Sequence, residues 1–293
     1  MTSVKNKFHE SICAGGMSKS VKNKFHESIC DMSKKMTRII VCGCFGRMGT
    51  VVCRLAAENP GLEVVAGIEI LEAAGGLPYP VYGNINQCVI PADAVINFLP
   101  PTAAIADVLA ILDYCVAKSV PLVLCTTGIS ADVEAAVLAA SAKVAILRSA
   151  NMSLGINLLS NMLQRASRLL YDTGFDIEII EKHHNQKLDA PSGTALLLAD
   201  AINDTLGGKM RFVNDRSGSH AKRTRDEIGL HALRGGSIVG EHNVIFAGRD
   251  EVIEFAHIAQ SREVFAVGAL KAAEFVRYKA PGLYTMQDLI NDL

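Results

Sequence analysis

The sequence predicts an α/β protein in which a doubly wound parallel sheet fills the first half and a second α+β domain with an open sheet follows. Three observations predict it. Short apolar runs alternate with helix-like stretches from Met36 to about residue 150, a glycine-containing turn closes the first run, and beyond residue 151 a strand appears whose apolar and polar residues alternate. Alternating strands and helices imply a parallel sheet covered on both faces. Such sheets bind ligands outside the carboxyl ends of their strands.

The strand-like runs are TRIIVCG (37–43), LEVVAGI (62–68), AVINF (94–98), PLVLC (121–125) and VAILR (144–148), with helices near 48–58, 102–118 and 130–142. Ser130 suits the last helix as its N-cap, with Asp132 and Glu134 in the first turn. At the end of the first strand stands Gly43-Cys44-Phe45-Gly46-Arg47-Met48-Gly49. Gly43 permits a tight turn, Gly46 admits a pyrophosphate to the helix N-terminus, and Gly49 allows the helix to pack closely on the sheet. Phe45 replaces the usual middle glycine, so the placement between strand and helix carries much of the signal. Glu69 closes the second strand, where a carboxylate can accept hydrogen bonds from an adenosine ribose. Ile70 follows it and offers no cation to a 2′-phosphate, which favours NADH, with NADPH as the alternative. An exposed strand-end carboxylate is the other reading of Glu69. The turns Asn97-Phe98-Leu99-Pro100 and Thr126-Thr127-Gly128 would line the same crevice, although each alone is ordinary turn chemistry.

In the second half a helix (about 154–171) leads to the alternating strand 176–181 and then to EKHHNQKLDAPSGTA (181–195). On a strand, His183 and His184 face opposite ways, so both can serve one ligand only if the strand ends or twists there. Pro191 keeps Ala190 extended, and Ser192-Gly193-Thr194 opens the helix ALLLADAIN. Hydroxyls and bare amides at a helix N-terminus form a carboxylate site, and Lys187 adds positive charge beside it. The stretch therefore reads as a receptor for a small anion, with histidine and lysine available for proton transfer. Residue types alone divide almost evenly between that reading and one in which the histidines are surface or supporting groups and SGT is only a cap. Downstream, RGGSIVGEHNVIFAG (234–248) and DEVIEFAHIA (250–259) form a strand pair about the turn 248–251, and a helix (about 263–278) packs back on the first domain. An open sheet with an apolar face invites pairing with another copy.

Composition bounds the rest. The 293 residues, 49% hydrophobic and 20% charged, suffice for two cores. The expected division is a dinucleotide-binding domain at 36–150, onto which the chain from about 263 to 293 packs back, and a substrate-binding and oligomerisation domain at 151–262. Residues 3–13 recur letter for letter at 20–30, and MSK occurs at 17 and again at 32. Residues 1–35 thus read as a duplicated polar leader, disordered or artefactual, and are set aside from the fold. They carry seven Lys, no Arg and three acids, which leaves 22 basic against 27 acidic residues in the body and argues against a nucleic-acid partner. No apolar run approaches the roughly 20 residues of a membrane span, so the expectation is a cytoplasmic protein without a membrane partner. The eight cysteines lack zinc spacing, and neither a zinc-protease pattern nor a Gly-x-Ser-x-Gly elbow occurs, so no metal is expected.

Taken together, GxxGRMG after the first strand, EKHHNQKLDAPSGTA and RGGSIVGEH resemble the 4-hydroxy-tetrahydrodipicolinate reductase (dihydrodipicolinate reductase) family from about residue 38 to the C-terminus. The resemblance implies a Rossmann-type cofactor domain and a second α+β domain with a mixed open sheet that assembles a homotetramer. It implies a reductase of the diaminopimelate route to lysine, acting on a small dicarboxylate by hydride transfer from NAD(P)H. It also implies roles: His183 as proton donor and acceptor, Lys187 as proton donor, and His184, Gly193 and Thr194 as holders of the dicarboxylate. Gly43, Cys44, Phe45, Gly46, Arg47, Met48, Glu69, Cys125, Thr126, Thr127, Ala150, Asn151 and Met152 would line the cofactor. The chain departs from many members at Asn97-Phe98, where they carry Asp-Phe and a nearby Arg, and it lacks the basic residue of the second-strand turn. Two competing readings are a Rossmann reductase of another small imine or keto acid and a non-catalytic NADH-binding protein.

Overall fold

The computed structural model describes residues 36–70, 77–100, 103, 105–218 and 220–293. The duplicated segment 1–35 lies outside the described residues, as do parts of the helix start expected at 102–104. Six strands come first: β1 (Thr37–Cys42), β2 (Leu62–Ile68), β3 (Val81–Tyr82), β4 (Ala94–Asn97), β5 (Leu122–Leu124) and β6 (Ala145–Arg148). Between them run α1 (Arg47–Ala57), α2 (Ile105–Lys118) and α3 (Ala131–Ser141). The second half contributes α4 (Leu154–Asp172), β7 (Asp176–His183), α5 (Gly193–Thr205), β8 (Arg211–Val213), β9 (Glu227–Arg234), β10 (Gly240–Ala247) and β11 (Val252–Ala259). The chain then returns through α6 (Glu263–Val276), β12 (Gly282–Tyr284) and α7 (Met286–Asp292).

The first sheet runs β12-β6-β5-β4-β1-β2-β3 with every pairing parallel. Its central strands are continuous apolar runs because both faces are covered. On one face Ile39 and Val41 meet Val52 and Ala56 of α1 and Ala269, Ala273 and Val276 of α6. On the other, Ile40 and Val95 meet Val108 and Ile111 of α2 and Val133 and Val137 of α3. The Ser130 hydroxyl caps α3 as expected, accepting from the Val133 amide at 3.4 Å. α6 approaches so closely because position 268 is glycine: a Cβ there would overlap the carbonyl oxygen of Met152 and lie 2.8 Å from its carbon.

The second sheet is mixed, in the order β11-β10-β7-β9-β8, with β7, β9 and β8 parallel and β10 and β11 antiparallel. Its inner face, including Ile177, Ile179, Leu230, Val244 and Phe246, packs against Leu159 and Leu163 of α4 and Leu198 and Ile202 of α5. Here the expected strand over 234–248 is divided. Arg234 ends β9, Gly236 turns the chain at φ +50°, and β10 starts only at Gly240. β9 itself escapes a pattern reading because its first four residues are all buried, which erases the period of two. β3, β8, β12 and α7 are further elements beyond the sequence expectation; the three strands have two or three residues each, too few for periodicity. The Ala190–Pro191 peptide is cis. No helix among the described residues is long and apolar enough to cross a membrane.

Candidate active site

The carboxyl ends of β1 and β2 form a cradle. Gly43 takes φ +76°, turning the chain so that the Gly46 amide donates back to the Gly43 carbonyl at 3.0 Å. A Cβ at Gly49 would overlap that same carbonyl oxygen and sit 2.8 Å from the Cys44 Cα, so only glycine lets α1 start here. Gly46 is the α1 N-cap with no side-chain bond to the first-turn amides, which leaves an uncapped helix N-terminus suited to an anion. Glu69 is tied to this turn: Oε2 accepts from the Phe45 amide at 3.3 Å and Oε1 from the Ile70 amide at 3.0 Å. A small, open pocket lies beside it, with Asn84, Leu99 and Asp107 in its wall and no Lys or Arg among the described lining residues. Arg47 and Gly46 are exposed, Phe45 and Met48 half-buried, and Cys44 buried against Gly67.

The turns after β4 and β5 lock together. Asn97 Oδ1 accepts from the Leu99 amide at 2.9 Å, the Cys125 amide donates to the Asn97 carbonyl at 3.0 Å, and Thr126 Oγ1 donates to the Leu99 carbonyl at 2.9 Å. Cys125 and Thr126 are thereby buried and Thr127 remains exposed. Asn97 Nδ2 is buried without a partner among the described residues. After β6, Ala150 is exposed while Asn151 and Met152 turn inward. Asn151 Nδ2 donates to Thr194 Oγ1 at 2.9 Å, which joins this turn to the start of α5.

The opening of α5 and the end of β7 meet at one carboxylate. β7 ends at His183, so His184 belongs to the turn that follows and the two rings are not held to opposite strand faces. Glu181 and His183 share the inner face, being two apart on a strand, and His183 Nδ1 lies 2.5 Å from Glu181 Oε2. Arg234 donates to both Glu181 oxygens at 2.8 and 2.7 Å, and the Ser192 amide donates to Oε1 at 3.0 Å. Burial pulls the Glu181 carboxyl up, but the hydrogen bonds from Arg234 and His183 outweigh it and hold the group below its ordinary range. Burial pushes the His183 imidazolium below its ordinary value, with Glu181 opposing. At neutral pH the pair is therefore an ionised carboxylate accepting from a neutral ring. His183 Nε2 has no protein partner among the described residues and lies beside Gly240, where a Cβ would come within 3.1 Å of it. Lys187 Nζ is paired with Asp189 at 2.8 Å. Ser192 Oγ caps α5 by accepting from the Ala195 amide at 3.1 Å, and Gly193 stands exposed, with nothing within 4 Å of the point a Cβ would occupy.

Two family models match the chain, dihydrodipicolinate reductase N-terminus over residues 37–152 and dihydrodipicolinate reductase C-terminus over 155–290. The chain belongs to the dihydrodipicolinate reductase family. Within this family it is 50% identical over 255 residues to the 4-hydroxy-tetrahydrodipicolinate reductase of Caldanaerobacter subterraneus subsp. tengcongensis, a match covering 87% of this chain and 98% of that relative. The Clostridium tetani protein of the same name is 47% identical over 256 residues with the same coverage. A dipicolinate-bound dihydrodipicolinate reductase from Paenisporosarcina sp. TG-14 superposes with a TM-score of 0.72 at 23% identity, over 88% of this chain and 100% of that one, and so shares the fold. The dihydrodipicolinate reductase family and this sheet order imply a pyridine nucleotide. The glycine turn at 43–49, the uncapped α1 and the pocket at Glu69 fit one.

Sequence reasoning assigns no role to Glu181, Arg234, His242 or Ser153. Glu181 is legible, since its spacing from His183 puts both on one strand face. Arg234 reaches it from β9, 53 residues along the chain, and no local signal could announce that contact. His242 Nε2 lies 3.2 Å from Ser192 Oγ, and Ser153 Oγ, the α4 N-cap, lies 3.4 Å from His257 Nε2.

Proposed function

We propose that the protein is a 4-hydroxy-tetrahydrodipicolinate reductase, reducing that compound or its dehydrated form, dihydrodipicolinate, to tetrahydrodipicolinate in the diaminopimelate route to lysine. The observation that carries the reading is the buried Glu181–His183 pair standing beside the amino end of α5. A cyclic imine with two carboxylates needs cations and amides to bind it and a placed acid to complete its reduction. Bound reduced nicotinamide supplies the hydride. The Gly193 and Thr194 amides and the Thr194 hydroxyl hold one substrate carboxylate at the helix N-terminus. His184 offers a ring nitrogen and Lys187 a positive charge to the dianion, and an arriving dianion favours protonation of His183, opposing the effect of burial. His183 then delivers its proton from Nε2 while Nδ1 stays bonded to Glu181.

Gly43 to Met48, Glu69, Cys125 to Thr127 and Ala150 to Met152 hold the dinucleotide in this reading, with NADH preferred. The support for NADH is the pair of carboxylates Glu69 and Asp107 in a pocket whose described lining contains no Lys or Arg, since a 2′-phosphate would meet like charge there. We infer a homotetramer built on the outer face of the second sheet, where Val252 and Ile258 are 58% and 63% exposed and Ile180 and Ile245 are only half-buried. Six described cysteines are free thiols, which agrees with a reducing, cytoplasmic setting.

The test couples the protein to a synthase that makes the substrate in place from pyruvate and aspartate semialdehyde, and follows NADH oxidation. Synthase-dependent oxidation that falls about 10²- to 10⁴-fold in His183→Gln, with NADH affinity retained, is the expected result. Cofactor binding without consumption would sink the reductase assignment, and unchanged turnover in His183→Gln would remove His183 from the chemistry.

A further inference from the structure

We propose that Glu181 is a positioning residue that fixes the tautomer of His183 and, with the same carboxylate, anchors the amino end of α5, so that proton transfer and dicarboxylate capture are aligned by one buried group. The inference rests on the reading of His183 as the proton donor and goes beyond it.

Glu181 is 1% exposed, and its two oxygens accept four hydrogen bonds from three directions. Oε2 takes His183 Nδ1 and one Arg234 nitrogen, while Oε1 takes the other Arg234 nitrogen and the Ser192 amide. The Arg234 nitrogen on Oε1 also donates to the Asp189 carbonyl at 2.5 Å, which pins the loop between β7 and α5 to the carboxylate. Ser192 is held from its other side by His242, which stands opposite Glu181 in the β7–β10 register. The ionisable groups facing His183 are Glu181 on β7, Arg234 from β9, His242 from β10 and Lys187 from the loop, and of these only Glu181 bonds to the ring.

An ionised carboxylate can only accept, so His183 Nδ1 must carry a proton and Nε2 is left to exchange one with the substrate. Glutamine at 181 matches the shape but has one oxygen and one amino group. If its oxygen takes the place of Oε1, its amino group meets one Arg234 nitrogen and Nδ1, which must then accept, and the ring proton moves to Nε2. The opposite orientation is worse, setting amino protons against two donors, the other Arg234 nitrogen and the Ser192 amide. Either way the alignment is lost without removing a side chain from the substrate. A role confined to stability would leave the ring tautomer and the pH profile of the folded variant unchanged.

The decisive measurement is nitrogen-15 NMR of histidine-labelled protein at neutral pH, with the His183 signal assigned by its loss in His183→Gln. The expected wild-type tautomer carries its proton on Nδ1, and Glu181→Gln moves it to Nε2. In the coupled assay Glu181→Gln should lower kcat by roughly 10²- to 10⁴-fold with NADH affinity intact, and shift the alkaline limb of the pH profile to lower pH, because the imidazolium has lost its carboxylate. The double variant Glu181→Gln/His183→Gln should be no slower than His183→Gln alone. A wild-type His183 protonated on Nε2 would overturn the proposal, and this holds even where Glu181→Gln fails to fold. Wild-type kcat and pH profile in folded Glu181→Gln would overturn it while leaving His183 in place. Wild-type turnover in His183→Gln would instead remove the reading beneath it, and the proposal with it.

Discussion

Replacing Gly268 by alanine sets two opposed effects against each other. Alanine in a helix interior is favoured over glycine by about 0.5–1 kcal/mol, so without a tertiary constraint the variant would be more stable. The Met152 carbonyl reverses this. A Cβ at 268 would lie 2.8 Å from its carbon and overlap its oxygen, whereas ordinary contact begins near 3.4 Å. Backbone on both sides must therefore part by at least 0.6 Å, the difference of those two distances, and α6 is held by Ala266, Ala269, Ala272 and Ala273, all fully buried. Overpacking of this kind costs about 1–3 kcal/mol. The net destabilisation is about 0–2.5 kcal/mol, a fall in Tm of up to roughly 10 °C for a chain of this size. Because Met152 follows Asn151, whose amide reaches Thr194, the substrate KM should rise as well. Thermal melts by circular dichroism without nucleotide, followed by the coupled assay, measure both. A Tm above that of the wild type would refute the close approach of α6 to this turn.

Acid should weaken the fold through its buried histidines. Burial lowers His242 from 6.5 to about 3 and lowers His183 as well. A depressed histidine favours the folded state only while neutral, so this stability is complete above about pH 6.5 and is lost as pH falls from there towards 3. Urea titrations between pH 7 and pH 4 should show the decline, and His242→Gln should flatten it; an equal slope in that variant would exclude His242 as the source. Thr194→Val removes the hydroxyl that accepts from Asn151, and stranding that buried amide costs about 1–3 kcal/mol. Steady-state kinetics should show substrate KM raised about tenfold or more with NADH affinity little changed, and a selective loss of NADH binding would contradict it. Ile70→Arg places a cation beside the Glu69 pocket and should shift the kcat/KM ratio towards NADPH. No shift would separate this turn from the ribose site.

Much of the architecture is readable because it is local. The run Thr37–Cys42, the turn at Gly43 and the helix from Arg47 occur in the order that a parallel sheet with an anion-binding helix requires. The serine caps at 130 and 192 stand where polar residues precede apolar ones. β9 is hidden because its first half, buried on both faces, has no alternation, and because Gly236, inside the run that reads as one strand, turns the chain at positive φ. β12 joins the first sheet beside β6 although more than a hundred residues separate them, and its three residues carry no signal of where they pair.

The same division holds for the site. EKHHNQKLDAPSGTA by itself determined that two histidines, a cation and a helix N-terminus lie near one another, because those groups belong to one short stretch of chain. Which nitrogen of His183 is left free was decided only in three dimensions. Arg234 arrives on β9, the Ser192 amide returns from beyond a loop, and His242 comes across from β10. Hydrogen bonds act over about 3 Å, and sheet pairing together with the loop that leads into α5 brings those residues within that distance.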